Sequence, residues 1–262
     1  MLNAASSLMG FEIQAEDGSL GTVSDFLFDD TTWKIRWMVV DTGHWLTGRK
    51  VLVHPSAVIS AEYRDRELTV SLTKKRVQDS PDILTDRPVS QQMQDDLFNH
   101  YGWDPLWGGG MYGGAMFGGG MGAIAAPLSA PAYFGTAGAL EAERDVTDRN
   151  EGDPHLRSIT EVTGYHAHAT DGDLGHVRDI LFDRAGWVIR YLIIDTAKWW
   201  IGQQVLISPA AVSGVDWSDR HVRLDLTRDK VKSSPAWDPA DIVTGDYERQ
   251  LHDYYNWPGY GW

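Results

Sequence analysis

The chain has no cysteine among its 262 residues. That excludes disulfides, zinc–thiolate sites and thiol nucleophiles. Basic runs are also scarce. None is longer than Lys74-Lys75-Arg76, and Lys plus Arg number 23 against 37 Asp plus Glu, a net charge of −14. A protein that tracks nucleic-acid phosphates needs the opposite balance, so no nucleic-acid partner is expected. The first ten residues lack both the basic start and the long apolar stretch of a secretory signal. A cytoplasmic location is therefore expected, with peripheral placement at the inner membrane as the alternative. No Ser/His/Asp order, Walker-type loop or dinucleotide fingerprint is present. The glycines of 108–122 lack the Lys-Ser/Thr that phosphate binding needs. The expectation is a protein that is not an enzyme and carries no cofactor.

What is present is a folded composition: 42% hydrophobic, 11% aromatic and twelve Trp. These values are far from those of disordered chains. The most informative feature is an internal repeat. Shifted by 154 residues, the sequence overlays itself without a gap. Gly10 meets Gly164, Asp17-Gly18 meets Asp171-Gly172, and Leu27-Phe28-Asp29 meets Leu181-Phe182-Asp183. Trp33 meets Trp187, Asp41-Thr42 meets Asp195-Thr196, and the register holds to Tyr101 and Trp103 opposite Tyr255 and Trp257. Of the 96 pairs from Leu8 to Trp103, 34 are identical. The unit is too long for a solenoid repeat, so it reads as a duplicated domain.

Each copy is rich in strand signals. Residues 33–40 and 187–194 carry β-branched and aromatic side chains and are apolar on both faces near their ends, as a strand buried on both sides would be. Asp17-Gly18 and Asp171-Gly172 mark hairpins, as does Asp183-Arg-Ala-Gly186, where Gly186 is expected to supply φ > 0. Asp65-Arg66 is a further turn, and Pro55 ends the strand 50–54. Ser90 and Thr244 can cap helices running to about His100 and Tyr254. The expected fold is mainly β. Two small barrels of about six strands are each followed by a short C-terminal helix and joined by a Gly-rich linker. The expected domains are 1–103, a linker over 104–156, and 157–262. From Pro105 to Leu140 there is no charge, and eleven of 36 residues are Gly. Gly and the prolines at 127 and 131 argue for a flexible linker over a membrane helix.

The pattern of Gly10, Asp17-Gly18, Leu20-Gly21, Val23-x-Asp25-x-Leu27-Phe28-Asp29, Val39-Val40-Asp41 and Val51-Leu52-Val53-His-Pro55 resembles the PRC-barrel family. It is repeated from Gly164 to Pro209. This is the small β-barrel of the cytoplasmic part of the photosynthetic reaction-centre H subunit, and of the C-terminal end of the ribosome-maturation factor RimM. The resemblance implies an adaptor that binds protein partners. Two alternatives are an accessory of photosynthetic electron transfer at the cytoplasmic membrane face, to which the H-subunit resemblance and the uncharged linker point, and a small-molecule or metal sensor, to which a histidine pair and the Trp-rich loops point.

Candidate residues follow from this reading. Trp45, Trp199 and Trp200 fall in equivalent loops. Tyr101, Trp103, Tyr255 and Trp257 end the helices, and all seven are interaction candidates. Asp25, Asp29, Asp41, Asp179, Asp183 and Asp195 lie at strand ends, where carboxylates accept hydrogen bonds from local backbone N–H groups. A structural role is expected for them. No metal site is expected. The weak candidates are His166 and His168, two apart on a strand and so on one face, with His176 across the hairpin. The two copies are expected to pack as an intrachain pseudo-dimer, because duplicated domains often descend from a homodimer. Residues 51–53 and 205–207 are the expected contacts.

Overall fold

The structure is a computed structural model and describes residues 2–46, 49–80, 91–103, 153–196 and 203–259. The chain divides into two compact units, residues 1–79 with 155–262 and residues 80–154. The first contains the strands of both repeats and is mainly β, while the helical end of the first repeat falls in the second unit.

The first repeat runs β1 (Leu2–Ala4), α1 (Ala5–Leu8), β2 (Glu12–Ala15), β3 (Gly18–Asp29), β4 (Lys34–Asp41), β5 (Lys50–Val53), β6 (Val58–Glu62), β7 (Glu67–Val70) and α2 (Lys74–Gln78). A 3₁₀ turn at Pro55–Ala57 links β5 to β6, with proline at the first turn where its missing N–H costs nothing. After α3 (Gln91–Tyr101), the second repeat runs β8 (Leu156–Ser158), α4 (Ile159–Val162), β9 (His166–Ala169), β10 (Gly172–Asp183), β11 (Val188–Asp195), β12 (Gln204–Ile207), β13 (Val212–Asp216), β14 (His221–Leu224), α5 (Arg228–Lys232) and α6 (Gly245–Tyr255). Strand β8 begins at Leu156, inside the span expected to be linker. In the second unit, Tyr101 at the end of α3 stacks on Trp103 with centroids 4.1 Å apart, and Gln94 donates to Asp153 at 2.8 Å.

Within each repeat six strands follow one path. In the first it is β6-β7-β2-β3-β4-β5, and in the second β13-β14-β9-β10-β11-β12. The β2–β7 and β9–β14 pairs are parallel and the other pairs on each path are antiparallel. The long strands β3 and β10 alternate core and solvent positions until a bulge shifts the phase. In β3 the bulge falls at Ser24, between Val23 and Asp25, while the second irregularity of this pair puts its extra residue, Arg36, in β4. The bulge at Ser24 lets Val23 and Phe26, three residues apart, both point inward, and Phe28 follows Phe26 by ordinary alternation. Gly21 and Gly175 permit the closest backbone approach. Their φ values are +132° and +134°, and a Cβ would sit 2.0 Å and 1.9 Å from the carbonyl oxygens of Asp41 and Asp195. Only glycine fits there.

Strand β11 is buried along most of its length, at Ile189, Tyr191, Leu192, Ile193 and Ile194, as the two-sided apolar pattern requires. One reason is α6. Thr244 caps this helix by accepting from Tyr247 N, and the helix lays Leu251 and Tyr255 over Tyr191, Ile193 and Leu206.

The repeats are joined by strands that cross over. β1 pairs with β10, with Leu2, Asn3 and Ala4 opposite Asp183, Phe182 and Leu181. β8 pairs with β3, with Leu156, Arg157 and Ser158 opposite Asp29, Phe28 and Leu27. The two registers are the same under the 154-residue shift. At the centre Val188 lies opposite Lys34, Ile35 N donates to Trp187 O at 2.8 Å, and Ile189 N donates to Trp33 O at 2.7 Å. Phe26 reaches across to Phe182 and Trp187, at 5.7 Å and 6.3 Å between centroids. Residues 51–53 and 205–207, the expected contacts, instead pair with β4 and β11 of their own repeats.

The hairpin at 183–186 departs from expectation as well. The positive φ lies at Trp187 (53°) and at its counterpart Trp33 (56°), one residue beyond the glycine. The left-handed residue is thus a tryptophan, held there by stacking on Phe182 (5.3 Å) or Phe28 (5.5 Å).

Candidate interaction surfaces

The crossover of β1 onto β10 creates a cleft of about 430 Å³ that neither repeat could form alone. Leu2, Ala4 and Ser6 of the first repeat line one side. Leu181, Ile193, Trp237 and Val243 of the second line the floor and far wall. The floor is continuous with the core cluster under α6, against which Leu2, Ala4, Trp237 and Val243 pack. At its mouth Ile242 is 75% exposed, the most exposed of the large hydrophobic residues described. Arg178 and Asp179 bring opposite charges to the rim. An apolar floor with a mixed-charge rim is the usual anatomy of a protein-contact patch.

Asp179 also holds the cleft together. Its carboxylate accepts from Ser6 N (3.3 Å) and from the Ser6 hydroxyl. Asp25 does the same on the other side of the junction. It accepts from Thr160 N (3.1 Å), Thr160 Oγ1 (2.9 Å) and Ser158 Oγ (2.5 Å). Each aspartate also accepts from the next residue's N–H, Phe26 or Ile180. These two carboxylates therefore do more than close local turns: they tie the opening helix of one repeat to the long strand of the other. The signal was available in sequence, since Ser6 and Thr160 are both hydroxyl residues at the 154-residue spacing.

The other four aspartates stay within their own repeats. Asp29 accepts from the N–H and hydroxyl groups of Thr31 and Thr32. Burial pushes its pKa up, but those hydrogen bonds outweigh it and leave the carboxyl below its ordinary value. Asp183 accepts from Ala185 N at 3.2 Å and lies 3.8 Å from Arg190. Asp41 accepts from Gly43 N at 2.9 Å at the base of the loop that carries Trp45. Asp195 pairs with His176 and Gln204 in the sheet.

Residues 2–77 match the PRC-barrel domain family. This N-terminal repeat is a PRC-barrel domain. The matched span opens at β1, so the strand donated to the second repeat is part of the domain. The chain is also similar to an uncharacterized protein of Deinococcus radiodurans, 35% identical over 79 residues. That alignment covers 29% of this chain and 27% of the other protein.

In the PRC-barrel domain, Trp45 is half-buried. Its indole N–H donates to Leu20 O at 2.7 Å, and Lys74 Nζ lies 5.4 Å from its ring. Trp199 and Trp200 lie outside the described residues. Tyr101 is buried and stacks on Trp103 in the second unit. Tyr255 is buried and stacks on the half-buried Trp257 at 4.1 Å. These aromatic ends fill core, and the exposed large hydrophobic residues among those described are Ile59, Tyr63 and Ile242, none of which the sequence singled out.

The histidine candidates are brought together with an addition. His166 sits opposite His176 on β10 and opposite His221 on β14. The rings of His166, His168 and His221 lie 4.6–6.4 Å apart between centroids. His221 was not anticipated, because the β9–β14 pairing joins residues 55 positions apart. Among the described residues, no group of three or more His, Asp or Glu is arranged to hold a metal ion. No helix among them is long and apolar enough to cross a membrane.

Two buried histidines are set by their surroundings. His54, fully buried, has its pKa pushed down to about 3 by burial and by the Arg36 charge. His252 on α6 is also pushed down, mainly by burial. Its Nε2 lies 2.8 Å from the Tyr191 hydroxyl, whose single proton is shared between His252 and Glu248 Oε1 at 3.1 Å.

Proposed function

We propose that this chain is a non-enzymatic protein-interaction module in which both repeats are PRC-barrel domains, and that the cleft between β1 and the 237–243 segment receives a partner protein. The observation that carries the reading is the 75% exposure of Ile242 beside an apolar floor built from both repeats. Exposed large side chains next to a preformed apolar cleft mark contact sites. The duplication supports the reading too, since the cleft requires a strand from one copy laid on the other. The partner's contribution is one or two apolar side chains inserted beside Trp237.

A photo-crosslinking residue placed at 242 in the full chain tests this in the native cell, with exposed Asp253 as the control position. The expected result is one protein adduct from position 242 that position 253 does not give. With the captured partner purified, Ile242→Asp is expected to weaken the complex at least about tenfold. Identical adducts from both positions, or none from 242, would overturn the docking site. Substrate turnover by the pure protein would overturn the non-enzymatic reading.

A further inference from the structure

The two ends of the junction between the repeats are related by the 154-residue shift, but their chemistry has diverged. At one end Asp30 accepts from His155 Nδ1 at 2.9 Å and from Arg157 Nε at 3.2 Å. The Arg157 guanidinium lies 4.2 Å from the Trp217 ring. That end is a closed arrangement of acid, arginine and aromatic ring. At the other end the same three positions are Arg184 for Asp30, Asn3 for Arg157, and Tyr63 for Trp217. The scaffold repeats while the carboxylate does not.

The consequence is visible at Arg184. Its guanidinium lies 6.0 Å from the Tyr63 ring. One terminal nitrogen is shielded from solvent and has no hydrogen-bond partner. Among the described residues, none of the ion pairs includes Arg184. The Tyr63 hydroxyl donates to Asn3 Oδ1, which fixes the ring beside the guanidinium. Asn3, Tyr63, Arg184 and Ala185 together line a cleft of about 260 Å³. The Arg184 guanidinium has no carboxylate partner among the described residues, and an oxyanion entering the cleft would supply one.

We propose that this cleft binds a single carboxylate, the group that Asp30 supplies at the opposite end. Arg184 would be its charge partner and the Tyr63 face its wall. The class is a carboxylate and not a phosphate for two reasons. Among the described residues the lining carries one charged group, enough for one negative charge. The chain as a whole carries −14, which repels multiply charged anions. The cleft has room for an acetate-sized head with a short apolar stem, so the source is either an acidic side chain of a protein or a free small carboxylic acid. The proposal does not depend on the docking cleft at Ile242.

The test is NMR on the full chain, following the guanidinium resonances of Arg184 and the ring of Tyr63. Sodium acetate, an N-acetyl-aspartyl peptide and sodium phosphate are added separately, with sodium chloride at matched ionic strength as reference. Acetate is expected to shift both residues saturably, with half-saturation at about 10 mM, as for one partly solvated arginine–carboxylate pair. Arg184→Gln is expected to abolish the shift at Tyr63. The double variant Asn3→Arg with Arg184→Asp rebuilds the opposite end internally. It is expected to keep the wild-type melting temperature and to ignore acetate. An affinity for the peptide at least about tenfold above acetate identifies a protein source, and equal affinities identify a free acid. Shifts with phosphate and not acetate, no saturable shift at Arg184, or an unchanged response in Arg184→Gln would each overturn the proposal.

Discussion

Trp33 and Trp187 hold the same left-handed backbone conformation on opposite sides of the junction, and each carbonyl accepts a hydrogen bond from the other repeat. A conformation that L-residues avoid is kept where its carbonyl is needed by a neighbouring chain segment. Trp187→Ala removes a buried ring and retains the backbone strain, so a loss of about 3–5 kcal/mol is expected. Trp187→Gly removes the same ring but relaxes the backbone. It should be the milder change by about 1 kcal/mol, reversing the usual order of Ala and Gly. Urea unfolding of both variants measures the difference, and Gly as the worse substitution would contradict it.

Asp25 and Asp179 stitch the repeats together, so their loss should loosen the junction as well as lower stability. Asp25→Ala removes the acceptor for Ser158 and Thr160. About 1–2 kcal/mol is expected, discounted because the carboxylate is partly exposed. Hydrogen exchange should speed up selectively in β8 and α4. Uniform acceleration across the sheet would place the role of Asp25 elsewhere.

Gly21 and Gly43 separate two effects of glycine. Both have positive φ, but a Cβ at Gly43 meets nothing within 4 Å, while one at Gly21 lies 2.0 Å from the Asp41 carbonyl. Gly43→Ala should cost about 1 kcal/mol of backbone strain. Gly21→Ala forces the two strands apart and should cost about 3 kcal/mol or more. Similar melting temperatures for the two variants would contradict this.

His54 makes the fold acid-sensitive in a predictable direction. Its folded pKa of about 3 is below the ordinary value, so the fold requires the neutral ring. Its contribution is complete above about pH 6.5 and is lost as the pH falls toward the folded value. The second repeat has Ser208 at this position, capping the same 3₁₀ turn, so His54→Ser is a compatible replacement. Between pH 7 and pH 5 the wild type should lose about 2 kcal/mol more than His54→Ser. His252 titrates in both proteins and cancels in the comparison. Parallel stability curves would show that His54 is not held neutral.

The strands were legible because their physical cause is local. Alternation, β-branched residues and the Asp17-Gly18 hairpin are properties of neighbouring residues, and the 154-residue shift doubled each signal. The burial of both faces of β11 could also be read from its unbroken apolar run. Roles that depend on distant segments were harder to see. Asp25 looked like a turn residue because its partners lie more than 130 positions away. His221 joined the other histidines only through a parallel pairing, which leaves no mark in local spacing.

By itself the sequence determined the mainly β character and the two equivalent repeats, because these follow from side-chain patterning. The tertiary structure alone decided how the repeats meet. Strands β1 and β8 are only three residues long, too short to announce themselves, and their stability comes entirely from the strand each one joins. The cleft beside Ile242 and the unpaired Arg184 are products of that exchange, since both lie where residues of one repeat are laid against the other.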